Sequence, residues 1–334
     1  MLEYDRNLHL NRILGKLGLL LTTLVVWGVA ASQVQAANLF VSSYDTSDVK
    51  EYDGTTGAFI KDFTPLNIPI LPEGLTFGPN GNLFVSSGAD AVEEYNGKTG
   101  AFIKNFTSFV VPKGLTFGPN GNLFVSDNDT NNVKEYDGTT GVFIKNFISS
   151  FGRLSGPYGL TFGPNGNLFV SSHNNNLVQE YDETTGAFIK NFTPFVDGPF
   201  SPVGLAFGPN GNLFVSSYDT NDVKEYDGTT GAFIKNFTLP SSGLSGPYGL
   251  TFGPNGNLFV SDYDTNDVKE YDGTTGAFIS SFVTSGSGGL AAPAFLTFGP
   301  SVGFPAPTPV PEPSPTLGLF TLGVLLGSAG LKRL

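Results

Sequence analysis

The sequence predicts an all-β fold, a six-bladed β-propeller of four-stranded blades, its ring closed by a C-terminal strand that completes the N-terminal blade. Three observations predict it. Gly 44 and Pro 23 among 334 residues break helices every few positions, while 31 Phe and only 14% charged residues exclude a disordered chain. The segment Asn-Leu-Phe-Val recurs at Asn38, Asn82, Asn122, Asn167, Asn212 and Asn257, at spacings of 44, 40, 45, 45 and 45 residues. A period near 45 with short strands is that of a propeller blade. The first unit also begins at Asn38 without the leading Leu-Thr-Phe-Gly-Pro of its sisters, and that segment stands alone at Leu296–Pro300.

Each unit divides into four strands. In the unit that starts at Gly249 they are expected at Leu250–Phe252, Asn257–Ser261, Val268–Tyr271 and Ala277–Phe282. Between the first two, Pro254-Asn255-Gly256 offers a fixed φ, a residue that tolerates left-handed backbone and a glycine, as a tight hairpin needs. Between the last two, Asp272-Gly273-Thr274-Thr275-Gly276 is a longer turn whose Asp can bond the turn backbone. Blades stack face to face, so Phe252, Phe259, Phe278 and Phe282 are expected to fill the space between them. The split first unit favours a closed ring over an open stack, because closure removes exposed sheet edges.

The ends read as addresses rather than fold. Residues 1–36 form a secretory leader: Arg6, Arg12 and Lys16 precede the apolar run Leu17–Ala31, and cleavage is expected between Ala36 and Ala37. Residues 301–309 are a Pro-rich linker. Residues 310–334 contain Pro311-Glu312-Pro313, the apolar stretch Leu317–Leu331 and the basic Lys332-Arg333. These three parts resemble the PEP-CTERM sorting signal. The resemblance implies export, a transient C-terminal membrane anchor, and processing by an exosortase-type membrane protease at the cell surface or in an extracellular polysaccharide matrix.

The repeat itself, Gly-Leu-Thr-Phe-Gly-Pro-Asn-Gly-Asn-Leu-Phe-Val at Gly159–Val170 followed by a polar turn and Val-x-Glu-Tyr-Asp, resembles NHL-repeat propellers and the wider gluconolactonase and regucalcin-like group. It covers residues 38–300 and implies the fold far more than any activity. A net charge of −12 without a basic run excludes a phosphate backbone as partner, and the absence of cysteine excludes thiol and thiolate–metal chemistry.

Near-identical repeats are scaffold, so function is expected where blades differ. The variable loops 64–73, 107–113, 148–158, 193–203, 238–248 and 283–294 each end in Pro-x-Gly or a near relative. The x residues, Glu73, Lys113, Tyr158, Val203, Tyr248 and Ala294, are expected to ring one mouth of the channel as a site for a small polar ligand or a sugar. His173 and Arg153 lie in one blade and offer a conceivable acid–base pair, against the plainer reading that His173 replaces the tyrosine of sister blades (Tyr44, Tyr218). Asp127, Asp129 and Asn131, and likewise Asp262, Asp264 and Asn266, are oxygen-rich loops of calcium-like composition, against a reading as Asx-stabilised turns. The lactonase branch of the resembling group holds a divalent metal with Glu, Asn and Asp. Glu73 matches the first, but the inner-strand positions read Thr or Ala, which puts that activity in doubt.

The sequence thus favours an exported, non-enzymatic binding or structural module for glycans or proteins, without a cofactor. The rival is a metal-dependent extracellular lactonase, hydrolase or lyase working in the propeller channel.

Overall fold

The second strand of every repeat carries Leu-Phe-Val, and in the structure it is buried on both faces. A computed structural model describes residues 37–300, except 66–70, 89, 108–110 and 150–152. The leader, the linker and the tail, with Ala36, Pro311, Glu312 and Pro313, lie outside the described residues. Ala37 is buried. Among the described residues no helix is long and apolar enough to cross a membrane.

Six antiparallel four-stranded sheets are present. In five of them the strands follow in chain order from the axis outward. In the blade that starts at Gly249 the strands are Pro247–Phe252, Leu258–Asp262, Asp267–Tyr271 and Phe278–Val283, within three residues of the expected bounds. The sixth sheet is the split blade. Pro293–Phe298 lies against Leu39–Ser43, pairing Leu39 with Phe298, Phe40 with Thr297 and Val41 with Leu296. The C-terminal strand therefore closes the ring, as the divided repeat requires. We number the blades from this one: blade 1 spans Leu39–Asp62 plus Pro293–Phe298, and blades 2 to 6 follow along the chain.

Phenylalanine ties neighbouring blades together. The second-strand Phe259 packs edge-on against Phe282 of its own blade at 4.9 Å and Phe298 of the next at 5.0 Å. Phe214 does the same with Phe237 at 4.7 Å and Phe252 at 4.9 Å. Such pairs add about 0.5–1.5 kcal/mol each beyond the area they bury. The expectation fails for Phe278, which is exposed together with Phe59, Phe102 and Phe143. These open the outermost strands, which have no further blade to cover them. The third-strand tyrosines Tyr52, Tyr95, Tyr181, Tyr226 and Tyr271 are fully buried in compensation. Tyr52 donates to Ser287 O at 2.9 Å and Tyr226 to Asp197 O at 3.0 Å.

Strand direction alternates, so each blade presents two turns at one end of the ring and two variable connections at the other. The Pro-Asn-Gly and Asp-Gly-Thr-Thr-Gly turns share the first end. The loops into the innermost strands and those after the second strands share the other, which holds the mouth.

Candidate functional site at the ring mouth

The innermost strands start at this end with Pro-x-Gly or its relative. In blades 3 to 6 the x residue lies one position inside the strand rather than in the loop. It is held there because the glycine after it abuts the neighbouring blade. A Cβ on Gly114 would overlap the carbonyl oxygen of Tyr158, and one on Gly159 that of Val203. Inner strands that converge this closely on an axis aim their x side chains at a common centre.

The centre is a cavity of about 380 Å³. All six expected x residues line it: Glu73, Lys113, Tyr158, Val203, Tyr248 and Ala294. A second tier comes from the residue after each second strand, Tyr44, His173, Tyr218 and Tyr263, with Asp219 beside Tyr218. Blades 2 and 3 have Gly88 and Asn128 at that position. The wall is thus aromatic from blade 4 round to blade 1, while blades 2 and 3 contribute Glu73 and Lys113 and blade 5 adds the exposed Asp219 carboxylate.

Glu73 and Lys113 are already paired with each other. Glu73 is buried, and its Oε1 accepts from Lys113 Nζ while Oε2 accepts from the Tyr248 hydroxyl at 2.8 Å. Burial pulls the Lys113 ammonium down, but the charge of Glu73 and its hydrogen bond outweigh burial and hold it above the ordinary 10.5. Burial, then the charge of Glu73, pushes the Tyr248 phenol well above 10.0. Lys113 also lies 5.3 Å from the Tyr158 ring centroid. Tyr248 stacks on Tyr263 at 5.5 Å, and Tyr158 meets His173 at 4.8 Å. The cavity therefore offers aromatic faces and phenolic hydroxyls around a neutralised ion pair.

His173 Nδ1 faces the Pro202 carbonyl oxygen at 3.4 Å. Burial lowers its pKa below 6.5, so the ring is neutral at pH 7. Arg153 does not join it. Its guanidinium lies 4.6 Å from the Phe188 ring, on the outermost strand of the same blade, and the residue is exposed. The shared blade placed His173 at the mouth and Arg153 at the flank.

The oxygen-rich loops do not gather a donor set, and a cation does not fit them. Asp127 is ion-paired with Lys134, Asn131 accepts from Gly156 N at 2.7 Å, and Asp129 is exposed. Asp262 accepts from Lys269 at 2.7 Å and from Ser245 N at 2.9 Å. Asn266 accepts from Ala292 N at 2.7 Å, and Asp264 from the Ser245 hydroxyl at 3.4 Å. The asparagines clamp the next inter-blade loop, and the inner carboxylates neutralise the half-buried Lys134 and the buried Lys269. Among the described residues, no group of three or more His, Cys, Asp or Glu is placed to hold a metal ion.

Sequence reasoning passed over Tyr44, Tyr218, Asp219 and Tyr263 as lining residues. The signal was present: the position after Leu-Phe-Val-Ser-x changes from blade to blade (Tyr44, Gly88, Asn128, His173, Tyr218, Tyr263) within a repeat that otherwise barely changes.

No protein-family model matches this sequence, and no curated protein matches it. Solved structures do. A chain of the nidogen/laminin complex is similar at 16% identity and TM-score 0.63, covering 79% of this chain and 99% of that one. A protein of unknown function from Bacteroides caccae is similar at 14% and 0.60, covering 78% and 98%. A catalytically inactive virginiamycin B lyase from Staphylococcus aureus, solved with quinupristin, is similar at 16% and 0.57, covering 80% and 94%. At such identities the likeness is one of fold.

Proposed function

We propose that this protein is an exported, non-catalytic binding module that holds a neutral carbohydrate unit of an extracellular glycan in the mouth of its ring. The observation that carries the reading is the lining of the cavity: five tyrosines and a neutral histidine around one internally neutralised Glu73–Lys113 pair, with the exposed Asp219 carboxylate, which accepts from the Ser201 hydroxyl at 2.6 Å, as a further charge. Tyrosine faces pack against the apolar C–H faces of sugar rings, and their hydroxyls serve sugar hydroxyls in both directions. A ligand that pairs with Glu73 or Lys113 would have to displace it from its partner, and an anion would also meet the Asp219 carboxylate. A volume of about 380 Å³ suits one or two sugar rings. Export rests on the leader of residues 1–36, and surface or matrix location rests on the Pro311-Glu312-Pro313 tail with its exosortase-type processing.

A second reading, a metal-dependent hydrolase or lyase, draws on Glu73 at the channel mouth and on a lyase among proteins of similar fold. Glu73 spends both oxygens on Lys113 and Tyr248, which weighs against it as a metal ligand. The deciding experiment titrates the purified chain with neutral oligosaccharides by calorimetry, and melts it in EDTA and in millimolar divalent metals. Saturable sugar binding without turnover, weakened about tenfold or more in Tyr158→Ala, is expected. A melting shift with one metal, lost in Glu73→Gln, would replace this reading with the enzymatic one.

A further inference from the structure

Six serines occupy the same place, the fourth residue of each second strand. All are buried: Ser42, Ser86, Ser126, Ser171, Ser216 and Ser261. At five inter-blade junctions the hydroxyl donates to the carbonyl of the next blade's x residue. Ser86 reaches Lys113 O at 2.7 Å, Ser126 reaches Tyr158 O at 2.6 Å, and Ser171 reaches Val203 O at 2.8 Å. Ser216 reaches Tyr248 O at 2.6 Å, and Ser261 bonds Ala294 O. At the sixth junction, from blade 1 to blade 2, the equivalent acceptor is Glu73 O. There the Ser42 hydroxyl is fully buried and has no partner.

One residue sets this junction apart. After x, five blades carry a glycine that touches the neighbour's x carbonyl closely enough to forbid a Cβ at Gly74, Gly114, Gly159 and Gly204, and to crowd one at Gly249 (2.8 Å). Blade 1 carries Phe295 at this position. Its ring packs into the cluster that contains Phe40 and Phe63 of blade 1 and Leu75 and Leu83 of blade 2, edge-on to Tyr248 at 5.5 Å. Backbone meets backbone at five junctions, and at the sixth a phenylalanine replaces the glycine.

We propose that this seam is the adjustable wall of the mouth, with Phe295 as its positioning residue. Opening any other junction breaks a buried hydrogen bond. Opening this one breaks none at the serine and brings water to an orphaned hydroxyl. The wall that moves carries Glu73, so motion here changes how far the carboxylate stands from Lys113 and Tyr248. The link to ligand admission rests on the mouth being the binding site; the motion itself does not.

The chain has no cysteine, so each serine can become its sole thiol. We would compare S42C with S126C and S216C, labelling each native protein with Ellman's reagent in the absence of ligand. S42C should react at least about tenfold faster, and adding F295G should slow it toward the other two. The control variants lose a hydrogen bond that S42C never had, so the comparison is biased against the proposal. Equal rates for the three thiols would overturn it. Hydrogen exchange on the unsubstituted chain gives a second readout should a variant not fold. Amides of 73–77 should exchange faster than those of 113–117 and 158–162, and equal protection would overturn the proposal equally. Failure of every sugar to bind would remove the glycan reading and leave both seam results standing.

Discussion

The two ends of the ring are made by the same strands and obey opposite rules. At the turn end every blade repeats one chemistry. Asp227 accepts from Thr229 N at 3.1 Å and Thr230 N at 2.8 Å, and Asp53, Asp137, Asp182 and Asp272 do likewise within 0.1 Å. Asn96 makes the same two bonds in blade 2, both at 3.0 Å. Beside each turn a buried glutamate accepts from asparagine, as Glu225 does from Asn212 at 2.7 Å. At the mouth end the x position differs between every two neighbouring blades: Glu73, Lys113, Tyr158, Val203, Tyr248 and Ala294 occupy equivalent places. The difference teaches that folding and recognition are separated along the strand. One end is free to vary because the other satisfies the backbone six times over.

Breaking the ring tests the frame both ends share. Deleting Leu296–Pro300 removes the pairing to Leu39–Val41 and exposes an edge of blade 1. A loss of several kcal/mol is expected in chemical denaturation. An unchanged midpoint would mean that the ring is not held by this strand.

Next in size is the turn end. Gly276 has φ +76°, and a Cβ there would overlap the Phe237 carbonyl oxygen of the preceding blade; Gly231 stands in the same relation to Phe192. Gly276→Ala and Gly231→Ala should each cost roughly 2–4 kcal/mol. The sharper expectation is that the two values agree within about 0.5 kcal/mol, because the turns are copies. A wide disagreement would break the sameness of this end.

A smaller effect is expected at the mouth. Glu73→Gln leaves Lys113 with burial and no counter-charge, so its pKa falls below that of the native chain. The cost at pH 7 is about 1–3 kcal/mol. The folded-state pKa of Lys113 is raised, so the pair's contribution is complete below the ordinary 10.5 and fades as pH rises through the folded value. The native chain should therefore lose its advantage over the variant in melts taken above pH 10.5. A constant difference would show that the pair does not stabilise the mouth.

The smallest effect is that of Asp227→Asn, whose natural precedent is Asn96. Backbone and hydroxyl donors from Thr230 hold the Asp227 carboxyl below the ordinary 3.8. A lowered carboxylate contributes above its unfolded pKa and loses that contribution as pH falls through the folded one. Native and variant should melt alike at pH 7, with the native chain losing more on acidification below pH 3.8. A large difference at neutral pH would mean that Asp227 does more than cap its turn.

Much of the site was legible because the repeat is so regular. Against five near-copies, any variable position stands out, and the Pro-x-Gly residues were found that way. Tyr44, Tyr218 and Tyr263 were missed, although their position varies by the same criterion, because a tyrosine shared by three blades reads as part of the repeat. The distance between Arg153 and His173, and the partners of the Asp127 and Asp262 loops, were not legible for a different reason. Composition names the donors available but not which lysine or backbone amide takes them first, and Lys134 and Lys269 take them here.

By itself the sequence determined the ring: strand number, turn chemistry, six blades and the closing strand all follow from local propensity and period, which act over a few residues. It also determined which six residues differ around the axis. Only the tertiary structure decided that Glu73 and Lys113 neutralise each other from adjacent blades, that Tyr248 donates to Glu73 across 175 residues of chain, and that Ser42 has no partner at the junction where Phe295 stands in place of a glycine. These depend on distances between blades, and such distances are set by how whole sheets pack rather than by any stretch of sequence.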